Sequence, residues 1–197
     1  MPKIKQSPKL PPEQRRKQLL GAAQRLFVKK GYRGTTTEQI ARAARLTKGA
    51  LYHHFKSKED MLLALVENML SEFSIRVGPL KEKRFTPGEF TRTLIEVHEK
   101  DNYAEFRNLM DIWVQAMRIP RIRRYLESFY EEALEMFADH VDTAYGKTRR
   151  ERLAVGAFTF AFLDGLATRK ALKPTSVDTQ EQLKLYARLI ECVKRQD

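Results

Sequence analysis

Cysteine is nearly missing: Cys192 is the only one in 197 residues. A lone cysteine excludes an internal disulfide and any multi-thiolate metal site within one chain, and it agrees with a reducing compartment. Long apolar runs are missing too. The longest uncharged stretch, Leu153 to Leu163, falls far short of the roughly 18 residues that a membrane span requires, and the basic start of the chain lacks the apolar block of a secretory signal. No glycine-rich phosphate loop, Gly-x-Ser-x-Gly elbow or His-Glu-x-x-His pair occurs. Of the four histidines, His98 and His140 are isolated, and His53 and His54 are neighbours that a helix would point about 100° apart, a poor chelate. These absences predict a cytoplasmic protein with no metal, no cofactor and no membrane association, and they leave an enzyme without a candidate site.

Acidic residues are scarce only in one place. Residues 1–58 hold fifteen Lys and Arg against two acids, Glu13 and Glu38, a net charge of +13, whereas the remainder is close to neutral at −1. A strongly positive segment joined to a neutral body is what a polyanion-binding module attached to a body with another task looks like.

Helical spacing dominates the rest. Residues 1–10, "MPKIKQSPKL", read as a disordered basic tail. A first helix opens at Pro11, Pro12 and Glu13, buries Leu19, Leu20, Ala23, Leu26 and Phe27, and closes at Gly31. Thr36 with Gln39 three residues on forms a capping box for a short second helix. Thr47 caps a third that starts at Lys48, with room only for a tight turn between Ala44 and Thr47. Ala50, Leu51 and Phe55 suit burial in that third helix, while Lys48, Tyr52, His53, His54, Lys56 and Lys58 crowd its other faces and its end. Two short helices packed on a longer one through a tight turn form a helix-turn-helix, whose second helix presents its N-terminal half to the DNA major groove. Ser57, with Asp60 as reciprocal partner, opens a fourth helix running to about Val77. Further helices are placed near 87–101, 103–118, 120–144, 149–171 and 178–195. The predicted fold is therefore all-α with about nine helices: a helix-turn-helix unit over residues 11–57 and a helical body over 58–197.

The stretch "TTTEQIARAARLTKGALYHHFKSKEDML" resembles the DNA-binding region of TetR-family transcriptional regulators, with Thr35, Thr36, Ile40, Ala41, Leu51, Tyr52, His54, Phe55 and Lys58 in register. That likeness spans about residues 12–70. It implies a regulator rather than an enzyme, with double-stranded DNA as partner and Thr36, Thr37, Thr47, Lys48, Gly49, Tyr52, His53, His54 and Lys58 as the DNA-facing set. Hydroxyls, imidazole and ammonium groups at Thr36, Thr37, Tyr52, His54 and Lys58 suit phosphate oxygens; Lys48 and His53 are better placed for base edges, and Gly49 would let the backbone approach closely. Taken singly, Lys48, Lys56 and Lys58 are ordinary solvated lysines. Arg45 departs from the pattern, since glycine is common there and the turn favours a left-handed backbone.

The remainder resembles the family more loosely. "FAFLDGLATRKAL" is similar to its penultimate helix, which implies a homodimer; Gly156, Ala157, Phe160, Ala161, Asp164 and Gly165 are the candidate dimer residues, with packing inside one chain as the competing role. Two recognition helices about 34 to 36 Å apart would then call for a palindromic operator. A small hydrophobic or aromatic effector would be held by Phe106, Met110, Trp113, Val114, Met117, Phe129 and Phe162, alongside Ala133, Met136, Phe137 and Phe158, although these are equally the residues of any helical core. In the resulting expectation the protein is a repressor released from its operator when the effector, bound between the fifth and eighth helices, moves the fourth. The alternative is an architectural or replication-linked DNA-binding protein on the same scaffold with no effector.

Overall fold

A computed structural model describes residues 11–98, 113–172 and 178–194 of the chain. The fold is all-α. The helices are α1 (Pro12–Lys30), α2 (Thr37–Ala43), α3 (Lys48–His54), α4 (Lys58–Val77), α5 (Pro87–His98), α6 (described over 113–118), α7 (Pro120–His140), α8 (Arg149–Leu172) and α9 (Thr179–Lys194). Among the described residues there is no strand, only a bridge in which the Phe85 N–H donates to His140 O at 3.0 Å and the Asp142 N–H donates to Phe85 O at 2.8 Å. No helix in them is long and apolar enough to cross a membrane. The predicted tail, residues 1–10, lies outside the described residues.

The chain divides into two compact units, and the divisions fall inside helices, after Leu70 in α4 and after Arg124 in α7. The first unit therefore holds α1 to α3, most of α4, α6 and the start of α7, a larger body than residues 11–57.

Local chemistry starts the helices of this unit. Pro11 and Pro12 precede Glu13 at the start of α1, and Gly31, at φ 74°, ends it. The predicted capping box is present: Gln39 N–H donates to Thr36 Oγ1 at 3.2 Å, and Thr36 N–H donates back to Gln39 Oε1 at 3.2 Å. Thr47 Oγ1 accepts from Ala50 N–H at 3.1 Å, and Ser57 Oγ from Asp60 N–H at 3.0 Å. Helices of seven residues hold too few internal bonds to persist alone. Tertiary burial stabilises them: Ile40, Ala41, Leu51 and Phe55 are almost wholly removed from solvent, as are Leu19, Leu20 and Phe27 of α1 and Met61 and Leu62 of α4. Gln18 of α1 also donates to Ala44 O at the end of α2, at 2.8 Å.

The turn between α2 and α3 keeps its left-handed form despite Arg45, which adopts φ 54°. Leu46 N–H donates to Ala41 O at 2.8 Å and Arg45 N–H to Arg42 O at 3.0 Å, the paired bonds of a Schellman ending. The arginine accepts the strain rather than altering the turn.

The second unit is organised by interlocked rings. Phe85, Phe90 and Phe137 are wholly or almost wholly buried, with centroids 5.0 to 5.4 Å apart, and Phe160 packs on Phe90 at 5.5 Å. Offset and edge-on ring contacts at such distances add to simple burial. Val77, Leu80, Leu94, Val141, Val155 and Ile190 complete the core. Two capping boxes that the sequence reading passed over open its helices, Thr86 with Glu89 for α5 and Thr148 with Glu151 for α8. Among the described residues the buried polar side chains have partners: Thr159 Oγ1 lies 2.7 Å from both Val155 O and the Tyr186 hydroxyl.

Candidate nucleic-acid interface

With Leu51 and Phe55 turned inward, α3 has Lys48, Gly49, Tyr52 and His53 exposed, and His54 half-buried. Thr36 and Thr47, exposed at the starts of α2 and α3, spend a lone pair on their caps and keep a hydroxyl proton to donate outward. A Cβ on Gly49 would meet nothing nearer than Thr47 Oγ1 at 3.9 Å, so intrachain packing does not require glycine there. Eight of the nine sequence-chosen residues thus lie on or beside the two short helices. The ninth, Lys58, opens α4.

Two of these side chains have partners that sequence reasoning did not foresee. The Lys58 ammonium donates to Tyr32 O and Thr35 O, both at 2.8 Å, and lies 4.3 Å from the centre of the Tyr32 ring. Burial lowers its pKa from the ordinary lysine value. Two of its three N–H donors are therefore committed to the turn between α1 and α2, leaving one at most for a phosphate. Lys48 forms an ion pair with Glu38 of α2 and lies 5.8 Å from the Tyr52 ring centre. The hydrogen bond from Lys48 and the bond to its own backbone hold the Glu38 carboxyl down to about 2. Thr37 Oγ1 donates to the other Glu38 oxygen at 3.3 Å and lies 3.3 Å from the Tyr52 hydroxyl.

The two adjacent histidines are edge-on at 5.3 Å and 80°, and no group of three or more His, Cys, Asp or Glu suited to a metal occurs among the described residues. Partial burial, then the charges of His53, Arg15 and Arg16, lower the His54 pKa. Near neutral pH it is a neutral hydrogen-bonding group rather than a cation.

The remaining candidates separate. Phe106 and Met110 lie outside the described residues. Trp113 is half-buried and Val114 and Met117 are exposed, all in the first unit, whereas Phe129 and Phe162 belong to the second. Phe162 stacks on Tyr186 at 4.4 Å, and Phe137 is locked in the ring core. On α8 the dimer candidates face two ways. Ala157, Ala161, Asp164 and Gly165 are exposed, but Gly156 is buried where a Cβ would come within 2.9 Å of Phe137 Cδ1, and Phe160 packs in the ring core. Gly156 and Phe160 thus pack within the chain, Gly156 against Phe137 of α7 and the partly buried Phe160 against Phe90 of α5 and Phe137. An exposed apolar stripe that the sequence reading missed runs along α9 through Leu185, Leu189 and Val193, with Phe158 of α8 stacked on Tyr186 beside it; each of the four is 42% to 53% exposed.

Known proteins carry the same two-part pattern. The family described as "Bacterial regulatory proteins, tetR family" matches residues 19–65, and "BetI-type transcriptional repressor, C-terminal" matches residues 93–193. The chain belongs to the TetR family of bacterial transcriptional regulators, a family of regulators rather than enzymes. It is 27% identical over 190 residues to the regulator BetI of Rhizobium meliloti (strain 1021), covering 94% of this chain and 89% of that one. Two uncharacterised regulators of Bacillus subtilis (strain 168), YuxN and YvkB, are 25% and 38% identical, and the chain spans less than half of their length, 47% and 40%. Among solved structures, the multidrug binding protein EbrR complexed with malachite green shares the fold with a TM-score of 0.67 at 23% identity, over 89% of this chain and 97% of that one. A transcriptional regulator from Saccharomonospora viridis in complex with choline does so with a TM-score of 0.67 at 19% identity, over 91% and 96%.

Proposed function

We propose that this chain is a cytoplasmic, homodimeric repressor that reads a palindromic operator with α3 and leaves it when a small effector binds. One observation carries the reading of DNA: α3 buries Leu51 and exposes Lys48, Gly49, Tyr52 and His53, in the third of the sequence that holds all of the excess positive charge. Such a helix gains nothing from facing its own core. It gains from a groove, where Lys48 and His53 can reach base edges while Thr36, Thr47 and His54 hold phosphates in register, and Thr37 and Tyr52, whose hydroxyl protons are spent between α2 and α3, stand behind Lys48. Lys58 supports the turn behind them and retains one donor for DNA.

A second copy of the chain is the proposed cover for the exposed face of α8 and α9. Ala157, Phe158 and Ala161 with Leu185, Leu189 and Val193 form the kind of apolar surface that soluble monomers seldom leave open, and a twofold pairing would place two recognition helices on one duplex.

The effector is proposed to be an apolar organic cation. In the second unit Tyr130, whose pKa burial and then the Asp164 charge raise to about 12, and Asp164 are an aromatic ring and an acid, the two kinds of group that organic cations use. Similar proteins hold malachite green and choline.

Selection of bound sequences from random duplexes by the purified full chain is the test. Enrichment of one inverted repeat, a dimer in sedimentation, and a rise in thermal midpoint with malachite green or choline that also weakens operator binding are expected. Failure to enrich any sequence overturns the repressor reading. Operator binding that no organic cation changes leaves the effector-free alternative.

A further inference from the structure

Glu38 is out of place. It is one of only two acids among the first 58 residues, it is exposed, and it stands on the surface proposed to meet a polyanion. Beside phosphates a carboxylate costs affinity. An acid in the first turn of α2 does favour the helix dipole, but that benefit needs no partner on α3.

The geometry gives it a different use. One Glu38 oxygen takes the Lys48 ammonium and the other takes the Thr37 hydroxyl at 3.3 Å. Thr37 in turn lies 3.3 Å from the Tyr52 hydroxyl, and Lys48 lies 5.8 Å from the Tyr52 ring centre. The four side chains close a ring between α2 and α3, three of them belonging to the DNA-facing set. A free lysine turns about four bonds and reaches whichever phosphate is nearest; tethered, it spends one proton on the carboxylate and aims the other two. Guanine N7 and O6 are the acceptors a lysine reads in the major groove. In water the exposed pair contributes little, but docking excludes water and strengthens it.

We propose that Glu38 is a specificity-determining positioning residue, which with Thr37 and Tyr52 holds Lys48 toward one base position and keeps it off the phosphates. This rests on the reading of DNA by α3.

Four proteins test it on the selected operator, on its single-base variants and on random duplex across a salt series: the natural chain, Glu38→Gln, Lys48→Ala and the double variant. Glu38→Gln should bind random duplex about threefold to tenfold more tightly, with a salt slope steeper by about 0.9 as the released lysine takes a phosphate. Preference at the base position that Lys48→Ala affects should fall about tenfold. In the Lys48→Ala background the same glutamine should leave base preference unchanged. Three results overturn the proposal: undiminished preference in Glu38→Gln; equal weakening on every duplex with a lowered thermal midpoint, which marks a purely structural role; or an effect on preference that persists without Lys48, which would make Glu38 itself the reader. A natural chain that prefers no sequence removes the underlying DNA reading instead, and the first arm alone reveals it.

Discussion

The two units of this chain are built in opposite senses. In the first, the residues that distinguish it are displayed: charged and hydroxylated side chains on seven-residue helices, each helix started by a threonine cap and flattened onto a small apolar core. In the second, the distinguishing residues are packed together, Phe85, Phe90 and Phe137 on one another and Phe160 on Phe90 and Phe137, while Phe158 of α8 and Leu185, Leu189 and Val193 of α9 stay outside among charged residues. A displayed chemistry constrains residue identity, because a phosphate or base edge accepts few donors. A packed interior constrains volume and shape, which many sequences satisfy.

The largest test of that contrast is Phe137→Ala. Truncating a wholly buried ring with three aromatic neighbours should cost about 3 to 5 kcal/mol, read from the urea midpoint at constant m-value; a loss below about 1 kcal/mol would show that the rings merely fill space. Lys58→Ala comes next and probes the first unit. If the ammonium serves the turn, stability falls by about 2 kcal/mol as two charge-assisted bonds to Tyr32 O and Thr35 O disappear. If it serves only phosphates, the thermal midpoint stays put and the salt slope alone shrinks by about one unit. The smallest effect is a gain: Arg45→Gly should raise stability by about 0.5 to 1 kcal/mol, the relief of a left-handed arginine less the extra freedom glycine has when unfolded. A loss instead would mean that the arginine side chain stabilises the turn by more than its backbone strains it.

Much of this was legible in the sequence because it is local. The Thr36–Gln39 box, the Thr47 cap and the Ser57 cap join groups three residues apart, and the inward Leu51 and Phe55 follow from helical spacing once α3 is recognised. The boxes at Thr86 and Thr148 carry the same signal and could have been found by it. The partners of Lys58, 26 and 23 residues away, and of Lys48, ten residues away across a turn, leave no periodic trace. Nor does spacing say which side of α8 faces α7: Gly156 and Ala157 are equally small, yet one lies against Phe137 and the other in solvent.

By itself the sequence determined the described helices and, except for α6, their starts, the concentration of positive charge in one third and the family pattern "LYHHF" with its lysine, because caps, periodicity and composition are properties of neighbours along the chain. Only the tertiary structure decided that Lys58 braces a turn, that Glu38 tethers Lys48, that Gly156 and Phe160 belong to the interior and that Leu185, Leu189 and Val193 are left outside. Those outcomes depend on which distant groups compete for the same donor or the same volume, and that competition exists only after the helices have packed.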